Sequence, residues 1–233
     1  MQINKWLNFI HFRVFTPVCV LCAEPGSTGM DLCVHCRQAL PRLQNACVRC
    51  AEPLQGTVLD ALCGRCQQSP PTFERTRALF TYETPVDHLL QALKFNGRLE
   101  MARVLGSLMA KWLAETVDVV PDVIIPVPLH ASRLRERGFN QSLELGRFIA
   151  RELAVPLDTS VCQRIRATAS QRELSRKERL KNLKGAFVAA KQVGGHVAIL
   201  DDVMTTGSTA NELAKVLLKA GAKSVEVWVC ARA

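Results

Sequence analysis

The chain is poor in aromatic residues, which make up 6% of 233 positions and include a single tyrosine. Proteins that grip single-stranded nucleic acid stack bases on aromatic side chains. None is interleaved with the basic stretch between residues 164 and 184, which argues against a dedicated single-strand reader. A long apolar run is also missing. Trp6, Leu7, Phe9, Ile10, Phe12, Val14 and Phe15 come nearest, but Lys5, His11 and Arg13 interrupt them, and a bilayer span takes about 20 apolar residues. No small-residue cleavage site follows. The segment is expected to pack on the body as a short helix or strand, in a soluble, cytoplasmic protein. Acidic residues are outnumbered, 21 Asp or Glu against 30 Lys or Arg, for a net charge of +9. Between Arg133 and Lys184 the imbalance is 13 basic to 6 acidic residues. Phosphorylated metabolites, nucleic acid and membrane surfaces all remain plausible partners on charge alone. With 48% hydrophobic residues, disorder of the whole chain is excluded.

Cysteine is what the sequence has in quantity. Eight of ten fall in Cys-x-x-Cys pairs: Cys19 with Cys22, Cys33 with Cys36, Cys47 with Cys50, and Cys63 with Cys66. The unit of pair, short loop and pair therefore occurs twice, an internal repeat. A two-residue spacer lets both thiolates of a pair face one ion, and two such knuckles complete a tetrahedral S4 shell. A disulfide framework fits poorly without a secretion signal, and four pairs in tandem do not resemble one redox dithiol. An iron–sulfur cluster remains the chemical rival of zinc. The simplest pairing places Cys19, Cys22, Cys33 and Cys36 on one ion and Cys47, Cys50, Cys63 and Cys66 on another, with an interleaved set as the alternative. Saturated shells make the metal structural. Cys162 and Cys230 have no partner at ligand spacing and are expected to be buried.

Ser69-Pro70-Pro71 marks a linker, because consecutive prolines resist helix and central strand alike. Two domains are expected, 1–71 and 72–233. Beyond Thr72 the pattern alternates strands and helices. A strand is predicted at Ala78 to Tyr82, then a helix carrying Val86, Leu89, Leu90 and Leu93 that stops at Gly97, and a second helix through Met101 and Leu113. Val123-Ile124-Ile125 reads as a buried strand ending at Pro126-Val127-Pro128. Val197 to Leu200 is another, followed by a helix closed at Gly221 and a last strand from Val225 to Cys230. Short, wholly apolar strands suit the centre of a parallel sheet, so the fold class is α/β.

The segment Val197 to Thr209, VAILDDVMTTGST, carries the chemistry. A buried strand delivers Asp201 and Asp202 to the sheet edge where open α/β sheets bind ligands. The next turn offers the hydroxyls of Thr205, Thr206, Ser208 and Thr209, with Gly207 allowing close backbone approach, and opens a helix whose positive end favours an anion. The two acids are candidates for ribose hydroxyls or a hydrated Mg²⁺. Alternatively, the acids merely end a strand and the hydroxyls cap a helix.

These thirteen residues closely resemble the phosphoribosyl-diphosphate signature of type I phosphoribosyltransferases. The resemblance implies Asp201 and Asp202 as the catalytic pair at the ribose hydroxyls, and Thr205, Thr206, Gly207, Ser208 and Thr209 around the 5-phosphate. IIPVPLHASRLRERGFNQ (Ile124 to Gln141), TASQRELSRKERLKNLKGAF (Thr168 to Phe187) and the N-terminal cysteine ribbons together resemble the ComF family of competence-associated proteins over nearly the whole chain. This resemblance implies a phosphoribosyltransferase-like domain behind a double zinc ribbon, two structural zinc ions, Mg²⁺ with the diphosphate, and a role in DNA uptake beside a helicase-like partner. Arg133 and Arg137 are candidates for pyrophosphate, and Asn140 and Gln141 for polar ligand contacts, since their amides both donate and accept. Thr168 to Lys184 resembles the mobile loop that closes over substrate in enzymatic relatives.

Two functions are compatible with these residues. In one, the protein transfers ribose phosphate from phosphoribosyl diphosphate to an acceptor, although no residue stands out as the acceptor's base. In the other, the same fold serves without turnover, binding single-stranded DNA or partners of the transformation machinery. A basic loop gripping a polynucleotide backbone suits the second.

Overall fold

The computed structural model describes residues 17–56, 61–167, 183 and 185–233. The N-terminal apolar segment and most of the Thr168 to Lys184 loop lie outside them. Two short helices belong to the cysteine-rich region, α1 (Val34–Gln38) and α2 (Gly64–Gln68). Beyond it run β1 (Arg75–Thr81), α3 (Val86–Asn96), α4 (Leu99–Thr116), β2 (Val123–Pro126), α5 (Ala131–Arg137), α6 (Gln141–Leu153), β3 (Cys162–Arg164), β4 (Phe187–Ala189), β5 (His196–Met204), α7 (Ser208–Lys219) and β6 (Ser224–Arg232).

Four strands form one sheet in the order β1-β6-β5-β2, and every pairing in it is parallel. The fold class is the expected α/β, with a parallel sheet behind a cysteine-rich N-terminal region. Alternation along the strands divides the core in two. Leu79, Ile124, Ala198, Leu200, Trp228 and Cys230 face α3, α4 and α6. Ala78, Ile125, Val197, Ile199, Val227 and Val229 face α7 and the antiparallel pair β3-β4. Both faces are covered, so β5 and β6 read as continuous apolar runs.

Local signals placed several boundaries. Gly97 ends α3 in the left-handed conformation, φ 64°, where its amide reaches back to the helix. Asn140 opens α6 by accepting from the amides of Ser142 and Leu143. Cys162 and Cys230 are buried and free. Strand boundaries differ from the sequence expectation: β1 begins at Arg75 rather than Ala78, β6 runs on to Arg232 rather than Cys230, and β5 continues to Met204, so the two aspartates lie within the strand rather than after it. The ladder to β6 persists through Asp201↔Val229 and Met204↔Arg232, because the neighbouring strand is long enough to pair with it.

The outer edge of β1, which would otherwise expose unpaired backbone, is covered by the cysteine-rich region. Leu43 donates its amide to Leu79 O at 3.1 Å, Thr81 to Pro41 O at 3.0 Å, and Thr76 to Val48 O at 3.0 Å. Cys19, Met30, Leu32 and Leu40 then join the core on the α3–α4 face. Ala51 joins the opposite one.

A charged cluster lies beneath α4, toward the N-terminal ends of the strands. Glu226, 5% exposed, accepts from Trp228 Nε1 at 2.8 Å and pairs with Arg77 Nε at 3.5 Å. Removing Glu226 takes the partner from the buried Trp228 N–H, while Arg77 keeps Thr116 O and Asp118. Glu226→Ala is expected to cost about 2–3 kcal/mol in urea denaturation. Glu212→Ala, which breaks only the i,i+3 pair to Lys215, should cost about 0.5 kcal/mol or less. Similar losses for both would show that the cluster contributes little.

Candidate functional site

The cysteine groups form two centres. The sulfurs of Cys19, Cys22, Cys33 and Cys36 lie within 4.8 Å of one another, as do those of Cys47, Cys50, Cys63 and Cys66. This is the simpler of the two pairings, not the interleaved one. A tetrahedral S4 shell with metal–sulfur bonds of about 2.3 Å has edges of about 3.8 Å. Cys22 and Cys33 sulfurs stand 3.8 Å apart and those of Cys50 and Cys63 3.6 Å, so both sets fit a zinc ion. The repeat runs deeper than the cysteine spacing: CVLCAEP at 19–25 matches CVRCAEP at 47–53. In each copy the alanine after the second cysteine is left-handed, Ala23 at φ 63° and Ala51 at φ 54°, and donates its amide to the first cysteine's carbonyl. In each copy the third cysteine stands at the N-terminal boundary of a short helix, Cys33 before α1, where its sulfur accepts from the Cys36 amide, and Cys63 before α2. Burial opposes ionisation of Cys19 and Cys47, yet surrounding backbone amides outweigh it and hold them at about 6 and about 7. These thiols are prepared for metal.

The second site lies at the C-terminal edge of the sheet. Asp202, 4% exposed, forms an ion pair with Lys94 from the last turn of α3 and accepts from Gln141 Nε2 at 3.5 Å. Arg137 in turn donates to Gln141 Oε1. Asp201 accepts from Ser142 Oγ at 3.0 Å and from the Asp202 amide at 2.9 Å. Burial and the adjacent Asp202 carboxylate raise Asp201 to about 7. Burial pushes Asp202 the same way, but Lys94 prevails and holds it below the usual carboxylate range. Two adjacent acids thus differ in protonation near neutrality.

The turn after β5 brings Thr206 and Ser208 together, their hydroxyls 2.7 Å apart. Gly207 adopts φ 75° at the start of α7, a conformation that strains any side chain, and it sits near Phe73. Thr205 is exposed and Thr209 half-buried. Arg133 and Arg137 line a cleft of about 350 Å³ with Lys94, Phe95, Glu136 and Phe139. Asn140 is otherwise engaged: beyond capping α6 it donates to Val127 O at 3.0 Å, which fastens the helix to the exit of β2.

Sequence reasoning passed over Lys94, Ser142 and Arg164. Lys94 had a signal, since it stands four residues after Leu90 on the buried stripe of α3, where a lysine needs a partner. Arg164 stacks over Phe187, its guanidinium 5.5 Å from the ring centre, within electrostatic reach of Asp201. Its place follows from the β3-β4 pairing, which no local pattern announces.

The double zinc ribbon domain model matches residues 11–67. The chain is 38% identical over 221 residues to the DNA utilization protein YhgH of Salmonella typhimurium, covering 92% of this chain and 96% of that protein. The chain belongs to the ComF family. Competence protein F of Haemophilus influenzae is 33% identical to this ComF protein, covering 97% and 100% of the two chains. Competence protein ComFC of Streptococcus pneumoniae is 28% identical, covering 92% and 99%. Among solved structures, orotate phosphoribosyltransferase from Aeropyrum pernix aligns over 57% of this chain and 60% of its own, at 20% identity and a TM-score of 0.34. The fold class stands on the strand order and register above.

Metal analysis should find two zinc ions per chain, one for each cysteine group, and Cys19→Ser/Cys22→Ser should lose one and keep the other. Full loss in that variant would mean that the two centres fold as one. A group whose folded pKa is raised adds stability below its unfolded value, about 3.9 for Asp, and that stability is lost as pH rises through the folded value. Asp201, raised to about 7, should therefore make wild type lose stability between pH 4 and 7 relative to Asp201→Asn. Parallel urea-denaturation profiles for the two would contradict the assignment.

Proposed function

We propose that this ComF protein binds a ribose 5-phosphate group, as phosphoribosyl diphosphate or a related ligand, at the C-terminal edge of its sheet. The observation that carries the reading is the continuity of β5 into α7: the half-buried Asp201 and the buried Asp202, the latter paired with Lys94, lead directly into a turn of hydroxyls and glycine. Asp201 and Asp202 would accept from and donate to the vicinal ribose hydroxyls. Thr205, Thr206, Gly207, Ser208 and Thr209 would surround the 5-phosphate, assisted by the amides that open the 12-residue α7. Arg133 and Arg137 would face the diphosphate, with Gln141 relaying the position of Arg137 to Asp202. The chemistry this arrangement favours is glycosyl transfer, in which the bond from ribose to diphosphate breaks as an acceptor bonds to the same carbon. Cations aimed at the departing diphosphate stabilise the charge that develops there.

Mg²⁺ does not fit the acid pair directly. Lys94 already neutralises Asp202, and Asp201 is held toward its protonated form, so no step is routed through a protein-held cation; diphosphate oxygens are the natural ligands of that ion.

The names of the relatives, a DNA utilization protein and competence proteins, favour a physiological place in the uptake or use of DNA, in the cytoplasm beside the import machinery. They also keep a second reading alive, a scaffold that binds single-stranded DNA or protein partners without turnover. Among the described residues, no helix is long and apolar enough to cross a membrane. The exposed arginines of α5 suit a phosphate backbone as well as a diphosphate.

Calorimetric titration separates the readings. Phosphoribosyl diphosphate, with Mg²⁺ present, should bind zinc-loaded wild type and bind Asp201→Asn/Asp202→Asn at least about tenfold more weakly. Oligothymidylate binding with a steep salt dependence, unaffected by that double change, together with no uptake of phosphoribosyl diphosphate, would replace the ligand site by the scaffold.

A further inference from the structure

The two copies of the cysteine repeat share a sequence and differ in their surroundings. In CVLCAEP and CVRCAEP the glutamates occupy matching places, and the carbonyls of Glu24 and Glu52 accept from the amides of Cys19 and Cys47, each at 2.8 Å. Glu24 is exposed. Of the two, only Glu52 has an ion-pair partner among the described residues, and that partner is Arg232, whose side chain is 3% exposed. A guanidinium so deeply buried depends on its partners.

Arg232 joins two segments through one planar group. Its Nε donates to Cys50 O at 3.1 Å and its Nη1 to Met204 O at 3.3 Å. Cys50 supplies a sulfur to the second centre, and Met204 ends β5, so its carbonyl belongs to the peptide that leads into Thr205. The second knuckle also reaches the hydroxyl turn by another route. Arg49, between the two cysteines, donates to Phe73 O at 2.9 Å. Phe73, Ala51 and Met204 are buried in one cluster, and a Cβ at Gly207 would meet Met204 Sδ at 3.6 Å and Phe73 Cζ at 3.8 Å. The first copy has Leu21 in place of Arg49, and its Cys19 and Met30 pack on the opposite face of the sheet. Site geometry and metal binding form together in such knuckles. With no ion to gather the sulfurs, Cys50 O and Glu52 are free to leave Arg232, and the end of β5 loses its tether.

We propose that Arg232 is a positioning residue that couples the second cysteine centre to the hydroxyl turn: metal at Cys47, Cys50, Cys63 and Cys66 and a sugar phosphate at residues 205–209 each tighten the other's binding. The first centre, with the same ligands and no such tether, is uncoupled. The order that the metal imposes on the turn follows from the contacts themselves; its effect on ligand binding rests on the ribose 5-phosphate reading.

The test uses full-length, zinc-loaded wild type and Cys19→Ser/Cys22→Ser, which keeps the second zinc. Zinc affinity is measured by competition with a chelator, with and without saturating ribose 5-phosphate. The second zinc should bind about tenfold more tightly when the sugar phosphate is present, as reciprocal coupling requires, and the first should be indifferent to it. Arg232→Met and Glu52→Gln should abolish the difference, and Glu24→Gln should keep it. A merely structural Arg232 would instead lower zinc affinity equally with and without ligand and leave the difference intact, which overturns the proposal. Glu52→Gln, at a part-exposed carboxylate, decides the matter if Arg232→Met fails to fold. Ribose 5-phosphate that binds without changing the affinity of the second zinc also overturns it. Amide hydrogen exchange without ligand keeps the two readings apart. Chelating the second zinc should speed exchange at residues 205–209 about tenfold and leave α6 unchanged. No change at 205–209, or an equal rise in α6, contradicts the coupling. Exchange that follows the second zinc, beside no calorimetric uptake of ribose 5-phosphate, removes the ribosyl site and leaves the coupling.

Discussion

Asp201 and Asp202 are neighbours at the buried end of β5, and placing two carboxylates there is unfavourable unless their charge is divided. The fold divides it by bringing Lys94 from α3 against Asp202, while burial and the neighbouring carboxylate raise Asp201 to about 7. Three separate segments are tied to this arrangement. The end of α3 supplies the cation, the start of α6 supplies Gln141 and Ser142, and α5 supplies Arg137 through Gln141. α5 and α6 follow one another in sequence while α3 lies well upstream, and they converge because α3 and α6 pack on the same face of the sheet.

The cysteine-rich region takes part in the same arrangement. Arg232, the last residue of β6 and 4% exposed, donates to Cys50 O at 3.1 Å and to Met204 O at 3.3 Å, and forms an ion pair with Glu52. Thr72 donates its amide to Asn211 Oδ1 at 2.7 Å in α7, and Arg49 holds the Phe73 carbonyl at 2.9 Å. The second cysteine group is therefore fastened to the strand and helix that flank the hydroxyl turn. The first is fastened to α4 through Arg103 and Asp31. Metal bound in these groups supports the edge of the sheet and, through Arg232, the exit of β5.

What local pattern could reveal was visible in the sequence. The stop of α3 at Gly97, the buried runs of β2, β5 and β6, and the Cys-x-x-Cys pairs all follow from chemistry within a few residues. The strand order, the covering of the β1 edge by residues 41–48, and the pairing of Arg232 with Glu52 depend on contacts 28 to 180 positions apart, which no window of sequence contains. The same limit applies within the site. Asp201, Asp202 and the hydroxyl turn are contiguous and were legible, whereas Lys94, alone on an apolar stripe, needed the packing of α3 to give it a partner. Asn140 shows the converse, because a side chain chosen for ligand contacts serves as a helix cap and a tether to Val127.

The central claim is that the acid pair and the hydroxyl turn act as one site for a ribosyl phosphate. Amide hydrogen exchange with and without ribose 5-phosphate tests it most directly. The account predicts slowed exchange at residues 206–210 and, through Asp201 and Asp202, at 141–143. Protection confined to α5, or none at saturating ligand, would contradict it.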